Sequence, residues 1–208
     1  MTDNHGDDIR FVRAMAEAGR RAPLIGGRFY LFWGVLITVA YTFQWAVLDG
    51  RFGLPEWSLA VLWLTVGAIA AIGMPILSRS VRRKPGRGTV GNRVDQTVWT
   101  MSGFAIFAFV IGVLVATLVF DKPLWFWDFV VGVALTGYGV SLFTTGTIAG
   151  LVWMRIPAVI SVAATGCIPI LAGMAELYLF AATVVLAVAV VPGVVLMLGE
   201  PKSLPDEA

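Results

Sequence analysis

Charged residues in this chain are bunched, and long uncharged apolar runs separate the bunches. No charge lies between Trp57 and Ser78 or between Val98 and Phe120, and Arg155 is the single charge between Phe129 and Ala175. Apolar runs of about 18 or more residues have the length of membrane-spanning helices, whereas barrel strands need roughly ten-residue alternating segments. The pattern predicts six spans, at about 28–48, 57–77, 98–120, 127–147, 156–173 and 178–198. The run from Phe129 to Ala175 is 47 residues long. As one helix it would reach about 70 Å, more than twice the roughly 30 Å of a bilayer core. It is therefore expected to cross twice, with its hinge within a few residues of Arg155, where a guanidinium prefers the interface.

Composition sharpens this picture. The 208 residues are 58% hydrophobic and 13% charged, about half the charge of a soluble domain. The expectation is an all-α membrane protein with one domain. A cytoplasmic tail (1–27) carries a short amphipathic helix, six helices and their loops fill 28–198, and a cytoplasmic tail closes the chain (199–208). No cleavable signal peptide is expected, because the first apolar run is long and lacks a small-x-small cleavage site.

The bases set the orientation. With the N-terminus inside, Arg10, Arg13, Arg20, Arg21 and Arg28, six bases in the loop 78–97, Arg155 and Lys202 all face the cytoplasm. Only Arg51 and Lys122 face outward, beside Asp49, Glu56, Asp121, Asp128 and Glu176. Both termini are then cytoplasmic. Most tryptophans, including Trp45, Trp57, Trp99, Trp125 and Trp153, fall near span ends, where amphipathic rings suit the headgroup layer; Trp63 lies inside a span.

The loop 78–97 contains Gly86-x-Gly88-x-x-Gly91 among Arg79, Arg82, Arg83, Lys84, Arg87 and Arg93. That glycine spacing signals dinucleotide binding only between a strand and a helix of a βαβ unit, and here apolar helices flank it. The six bases read as a topology anchor that can also attract anionic lipid or an acidic cytoplasmic protein. The N-terminal segment places Ile9, Val12, Ala16 and Gly19 on one helical stripe, with acids at its start and arginines at its end, as expected of an interfacial helix or of a docking helix for a soluble partner.

The spans are poor in chemistry. His5 is the only histidine and Cys167 the only cysteine, so neither bis-histidine haem ligation nor a disulfide within the chain is possible. No nucleophile–base pair, paired aspartates or His–Glu metal set is visible, and Asp95 is assigned to the basic loop. No catalytic residue, cofactor, metal or nucleic-acid partner is expected. Gly137, Ser141 and Thr145, and likewise Ser161, Thr165 and Pro169, recur four apart. Such faces suit close helix packing, including homo-oligomers, or alternatively a narrow polar path. Gln44 reads as an interhelical hydrogen-bonding group. Residues 69–77 (IAAIGMPIL) resemble residues 162–171 (VAATGCIPIL), which would make spans two and five equivalents in an inverted repeat with helices broken at Pro75 and Pro169.

The stretch RRAPLIGGRFYLFWGVL, preceded by DDIRFVRAMAEAG and followed by Gln44-Trp45, resembles small bacterial six-span inner-membrane proteins that carry no assigned activity. The resemblance covers about the first 50 residues and the span count, and implies a bacterial inner membrane. The function expected is non-enzymatic, acting through a protein or anionic-lipid partner at the cytoplasmic basic face. The alternative is a small channel or facilitator with its path between spans two and five.

Overall fold

The computed structural model describes residues 9–10, 24–82, 84 and 87–200. Ile9 and Arg10 are helical; the rest of the expected N-terminal helix, Arg83 and the tail beyond residue 200 lie outside the described residues. The described chain is all-helical, without a strand. Its elements are α1 (Gly27–Leu48), α2 (Ser58–Arg82), α3 (Val90–Val119), α4 (Asp128–Ile148), α5 (Arg155–Thr165), α6 (Ile168–Leu171), α7 (Glu176–Val185) and α8 (Val191–Leu198). A π-helical turn, Leu186–Val190, joins α7 to α8, so that Glu176–Leu198 runs as one rod.

Five of these rods are long and apolar enough to cross a membrane: Gly27–Leu48, Ser58–Arg82, Val90–Val119, Leu124–Ile148 and Glu176–Leu198. The remaining apolar stretch differs from expectation. It is broken into α5, of 11 residues, and α6, of four, by a turn at Gly166 and Cys167. At 1.5 Å per residue α5 spans only about 16 Å. The hinge before it forms at Gly150 (φ +71°), inside the expected gap between spans four and five. Leu151 N–H donates to Gly146 O (2.8 Å), the six-to-one bond of a Schellman cap, which needs a left-handed residue that only glycine adopts without cost. Arg51 N–H to Ala46 O (3.0 Å), around Gly50 (φ +74°), ends α1 the same way.

The segment expected as loop 78–97 is largely helical. α2 continues to Arg82 and α3 begins at Val90. Nor do the two prolines of the suggested repeat act alike: α2 passes through Pro75, whereas Pro169 starts α6.

Polar and small residues sit inside and large apolar ones outside. Ser141, Thr145 and Ser161 are fully buried, while Leu64, Ile72, Phe104, Phe107 and Leu118 are more than half exposed. In the most apolar window of α3 only 6% is buried, and in that of α2 only 11%. Such apolar faces are compatible with a lipid surround.

α1 and the final rod cross closely. A Cβ on Gly193 would fall 2.6 Å from Leu31 N, one on Gly27 2.8 Å from Met197 N, and one on Gly34 2.9 Å from Val190 N. α4 packs between α3 and α5: Gly137 lies against Ser102, and Gly146 against Met154 and Leu151 O. The two principal crossings therefore depend on missing side chains. Gly193→Val should abolish folding or destabilise the protein by about 3 kcal/mol or more, since the clash is with backbone. Gly112→Ala on α3, where a Cβ meets open space, should be neutral or slightly stabilising. Unfolding of both variants in detergent checks the contrast.

Candidate functional site at the basic end

One end of the bundle gathers the N-termini of α1, α3 and α5 and the C-termini of α2, α4 and α8. Contacts across it show this directly. Asn92 Oδ1 accepts from Ile25 N–H (2.9 Å), Tyr30 meets Asp95, Lys84 meets Glu200, and Gly91 lies against Ala149. Arg79, Arg82, Arg87 and Arg93 are exposed here. Arg155 starts α5 at the same end and is exposed, its guanidinium 5.8 Å from the centre of the Phe143 ring. Of the six loop bases, Lys84 alone has a carboxylate partner among the described residues, and Arg83 lies outside them.

The acids at this end are buried. Asp95, expected in a loop, belongs instead to the second turn of α3 and is 7% exposed. Helix α3 has 30 residues, about 45 Å at 1.5 Å each, more than the roughly 30 Å of a bilayer core, and Asp95 lies near its N-terminal end. There the carboxylate finds partners rather than water. Oδ1 accepts from the Tyr30 hydroxyl (2.7 Å) and from Thr145 Oγ1 (3.1 Å), and Trp99 Nε1 donates to the Tyr30 oxygen (2.6 Å). The Tyr30 and Trp99 rings meet edge to face at 4.8 Å. Gly26 makes room, because a Cβ there would fall 2.6 Å from Asp95 Oδ2. Sequence reading missed this site. The signal present was the Gly26-Gly27 step, which lets the α1 backbone come against another chain segment.

Glu200 is the second buried acid, 8% exposed as a residue. Its Oε2 accepts from Lys84 Nζ and from Arg28 Nε (3.4 Å). Oε1 is buried without a hydrogen-bond partner, a loss of about 1–3 kcal/mol or more for a charged oxygen. Arg28 also donates to Ser80 Oγ (3.4 Å), whose own proton goes to Leu77 O (2.7 Å).

The opposite end carries a third carboxylate. Asp128, at the start of α4, accepts from the Tyr178 hydroxyl (2.5 Å) and from Gly173 N–H (2.7 Å). Gln44 Oε1 accepts from Trp63 Nε1 (2.8 Å), which links α1 to α2. Arg51 lies over the Trp45 ring at 4.5 Å and pairs with Asp49.

The small polar residues of α4 and α5 are placed in two groups. Ser141 shares a 2.8 Å hydrogen bond with Ser102, Thr145 binds Asp95, and Gly137 admits Ser102, so this face packs on α3. Ser161 donates to Leu135 O (2.7 Å), joining α5 to α4. Thr165 is 3.3 Å from Thr136, and together with Pro169 and Gly137 these threonines line an open groove of about 770 Å³ between α3, α4 and α6. The groove is not where the alternative path was expected, between spans two and five, because the main packing partner of α2 is α1. Among the described residues no cluster of three or more His, Cys, Asp or Glu side chains could hold a metal ion. No family model matches this chain, and neither a search of curated proteins nor one of solved structures finds a match.

Tyr30→Phe removes the hydroxyl that joins Trp99 to Asp95. It should cost about 1–3 kcal/mol, as expected when a buried carboxylate loses a donor. Thr42→Ala, whose exposed hydroxyl binds only its own helix (Thr38 O, 2.8 Å), should cost about 0.5 kcal/mol or less. Denaturation midpoints of the two variants in detergent measure the difference.

Proposed function

We propose that this chain is a non-enzymatic multi-pass protein of a bacterial inner membrane, with six crossings and both termini cytoplasmic, that acts by engaging an anionic partner at its basic end. The observation that carries the reading is a separation of sign. Arg79, Arg82, Arg87 and Arg93 are exposed at that end, while Asp95 and Glu200, its acids among the described residues, are buried. Exposed acids that would cancel the field are absent from the described part of the rim, so it presents positive charge outward. The broken stretch α5–α6, taken with the turn at Gly166, supplies the sixth crossing.

Anionic lipid is the occupant that the helix faces favour. Arg79 continues the stripe of exposed Val61 and Ile72 along α2, and Arg93 continues that of Phe104, Phe107 and Ile111 along α3. With those apolar faces in hydrocarbon, the guanidinium groups sit at headgroup depth on the same helices. Bases near an anionic surface contribute about 1 kcal/mol each.

The protein purified in mild detergent should retain phosphatidylglycerol in preference to phosphatidylcholine, counted by native mass spectrometry. Joint replacement of Arg79, Arg82, Arg87 and Arg93 by Ala should lower that preference by about tenfold or more. Lys122→Ala, at the opposite end, should leave it unchanged. A quadruple variant that keeps the full preference would overturn the reading. Loss of a co-purifying acidic protein, with lipid preference intact, would move the partner from lipid to protein.

A further inference from the structure

The basic end contains a built anion site that the chain fills with its own carboxylate. We infer that Lys84 and Arg28 form a phosphate-binding site in which Glu200 is a resident stand-in, displaced when a phosphate group arrives. The inference rests on the proposed reading of the basic end and names where on it the anion sits.

Three segments far apart in sequence converge there: the first turn of α1 (Arg28), the chain just after α2 (Lys84) and the chain just after α8 (Glu200). Helix dipoles do not explain the placement. Arg28 lies at a helix N-terminus and Glu200 beyond a helix C-terminus, each the unfavourable end for its charge. What holds them is their mutual pairing, enforced where Gly27 packs on Met197 and Leu196. Ser80 further orients Arg28, since its hydroxyl proton is committed to Leu77 O and its oxygen accepts from the guanidinium.

The resident carboxylate uses this site poorly. Both cations bind the same oxygen, Oε2, and Oε1 is buried without a partner. A phosphate group offers at least two anionic oxygens, so Lys84 and Arg28 could each take one, with the ammonium as point charge and the guanidinium as fork. The Arg28 side chain is 37% exposed and that of Lys84 17%, against 4% for Glu200. An incoming group therefore meets the cations from the open side, and the glutamate leaves from beneath. Displacement frees Glu200 from the start of α1, which couples anion capture to the contact between α1 and the chain after α8.

A double-mutant cycle on the full-length protein separates this site from general electrostatics. Phosphatidylglycerol retention is counted by native mass spectrometry, with phosphatidylcholine as reference, and inorganic phosphate is titrated calorimetrically. Glu200→Gln should tighten binding of the phosphate group by roughly tenfold, the factor expected if the internal ligand leaves about one site in ten open. In a Lys84→Ala background the same change should have little effect. Should Glu200→Gln fail to fold, Glu200→Asp serves instead, because its shorter side chain cannot reach both cations. A response to phosphatidylglycerol alone identifies a lipid headgroup as the source, and a response to inorganic phosphate identifies a soluble one; either supports the site. Equal tightening with and without Lys84, or no tightening with either probe, would overturn it. The wider reading fails separately, when the four exposed arginines prove dispensable.

Discussion

The contact on which the architecture depends is the crossing of α1 with the last rod. Within lipid, helices gain little by hiding apolar surface from one another, so association depends on close packing and hydrogen bonds. Gly27 and Gly34 on one helix and Gly193 on the other let backbone meet backbone, with no room for a Cβ at any of them. The last rod also changes its helical type beside this contact. Pro192 has no N–H to give and its ring presses on the carbonyl four residues back. The π turn Leu186–Val190, one residue ahead of it, is a wide turn that lets the helix continue past the proline. With the crossing set, Arg28 reaches Glu200 at one end, while further along α1 Tyr41 lies within 5.9 Å of the Tyr178 ring.

The rest of the bundle divides its work by depth. Near the middle, contacts use glycine and hydroxyls: Gly137 with Ser102, Ser141 with Ser102, Ser161 with Leu135 O. At the ends, where water or headgroups can share the cost of a charge, carboxylates tie distant segments together. Asp95 joins α1 to α3 and α4, Asp128 joins α4 to α7 and the turn at Gly173, and Glu200 joins α8 to α1 and Lys84. A hydrogen bond to a charged group contributes about 1.5–3 kcal/mol, and most of that would be lost to desolvation at the bilayer centre. α2 and α3 stand outside this network for most of their length, and their outward faces are apolar.

Much of this was legible in the sequence, because the hydrocarbon pattern is a one-dimensional signal. Five apolar rods match five of the six expected runs, and the long run from Phe129 to Ala175 does fold back, at Gly150, inside the gap expected between spans four and five. Gln44 does bond across helices, to Trp63. What escaped was pairing between segments. Asp95 sits among Arg93, Gln96 and Thr97 and so reads as loop; its burial comes from Tyr30 and Thr145, 65 and 50 residues away. Glu200 looks like the start of a tail, and only the α1 crossing shows otherwise. The stripe Gly137, Ser141, Thr145 was visible, but not that its partner is α3. Gly34 and Gly193 do belong to small-residue spacings, Gly34-x-x-x-Thr38 and Ala189-x-x-x-Gly193, but these did not stand out from the many small residues of the spans. The break at Gly166 was signalled only by Pro169, just after it, because most residues around it are apolar.

The burial of these carboxylates also shapes the surface. A carboxylate that leaves the surface to pin two helices no longer neutralises the bases around it. At the end that gathers the α1, α3 and α5 N-termini this happens twice, with Asp95 and Glu200, while Arg79, Arg82, Arg87 and Arg93 stay exposed. At the other end only Asp128 is buried, and Asp49, Glu56, Asp121 and Glu176 remain exposed beside Arg51 and Lys122. The two ends therefore differ in sign more than their composition alone would make them, and the difference follows from which acids the packing consumed. Among the described residues, the same interactions that hold the helix ends together leave the exposed charges of one end all basic.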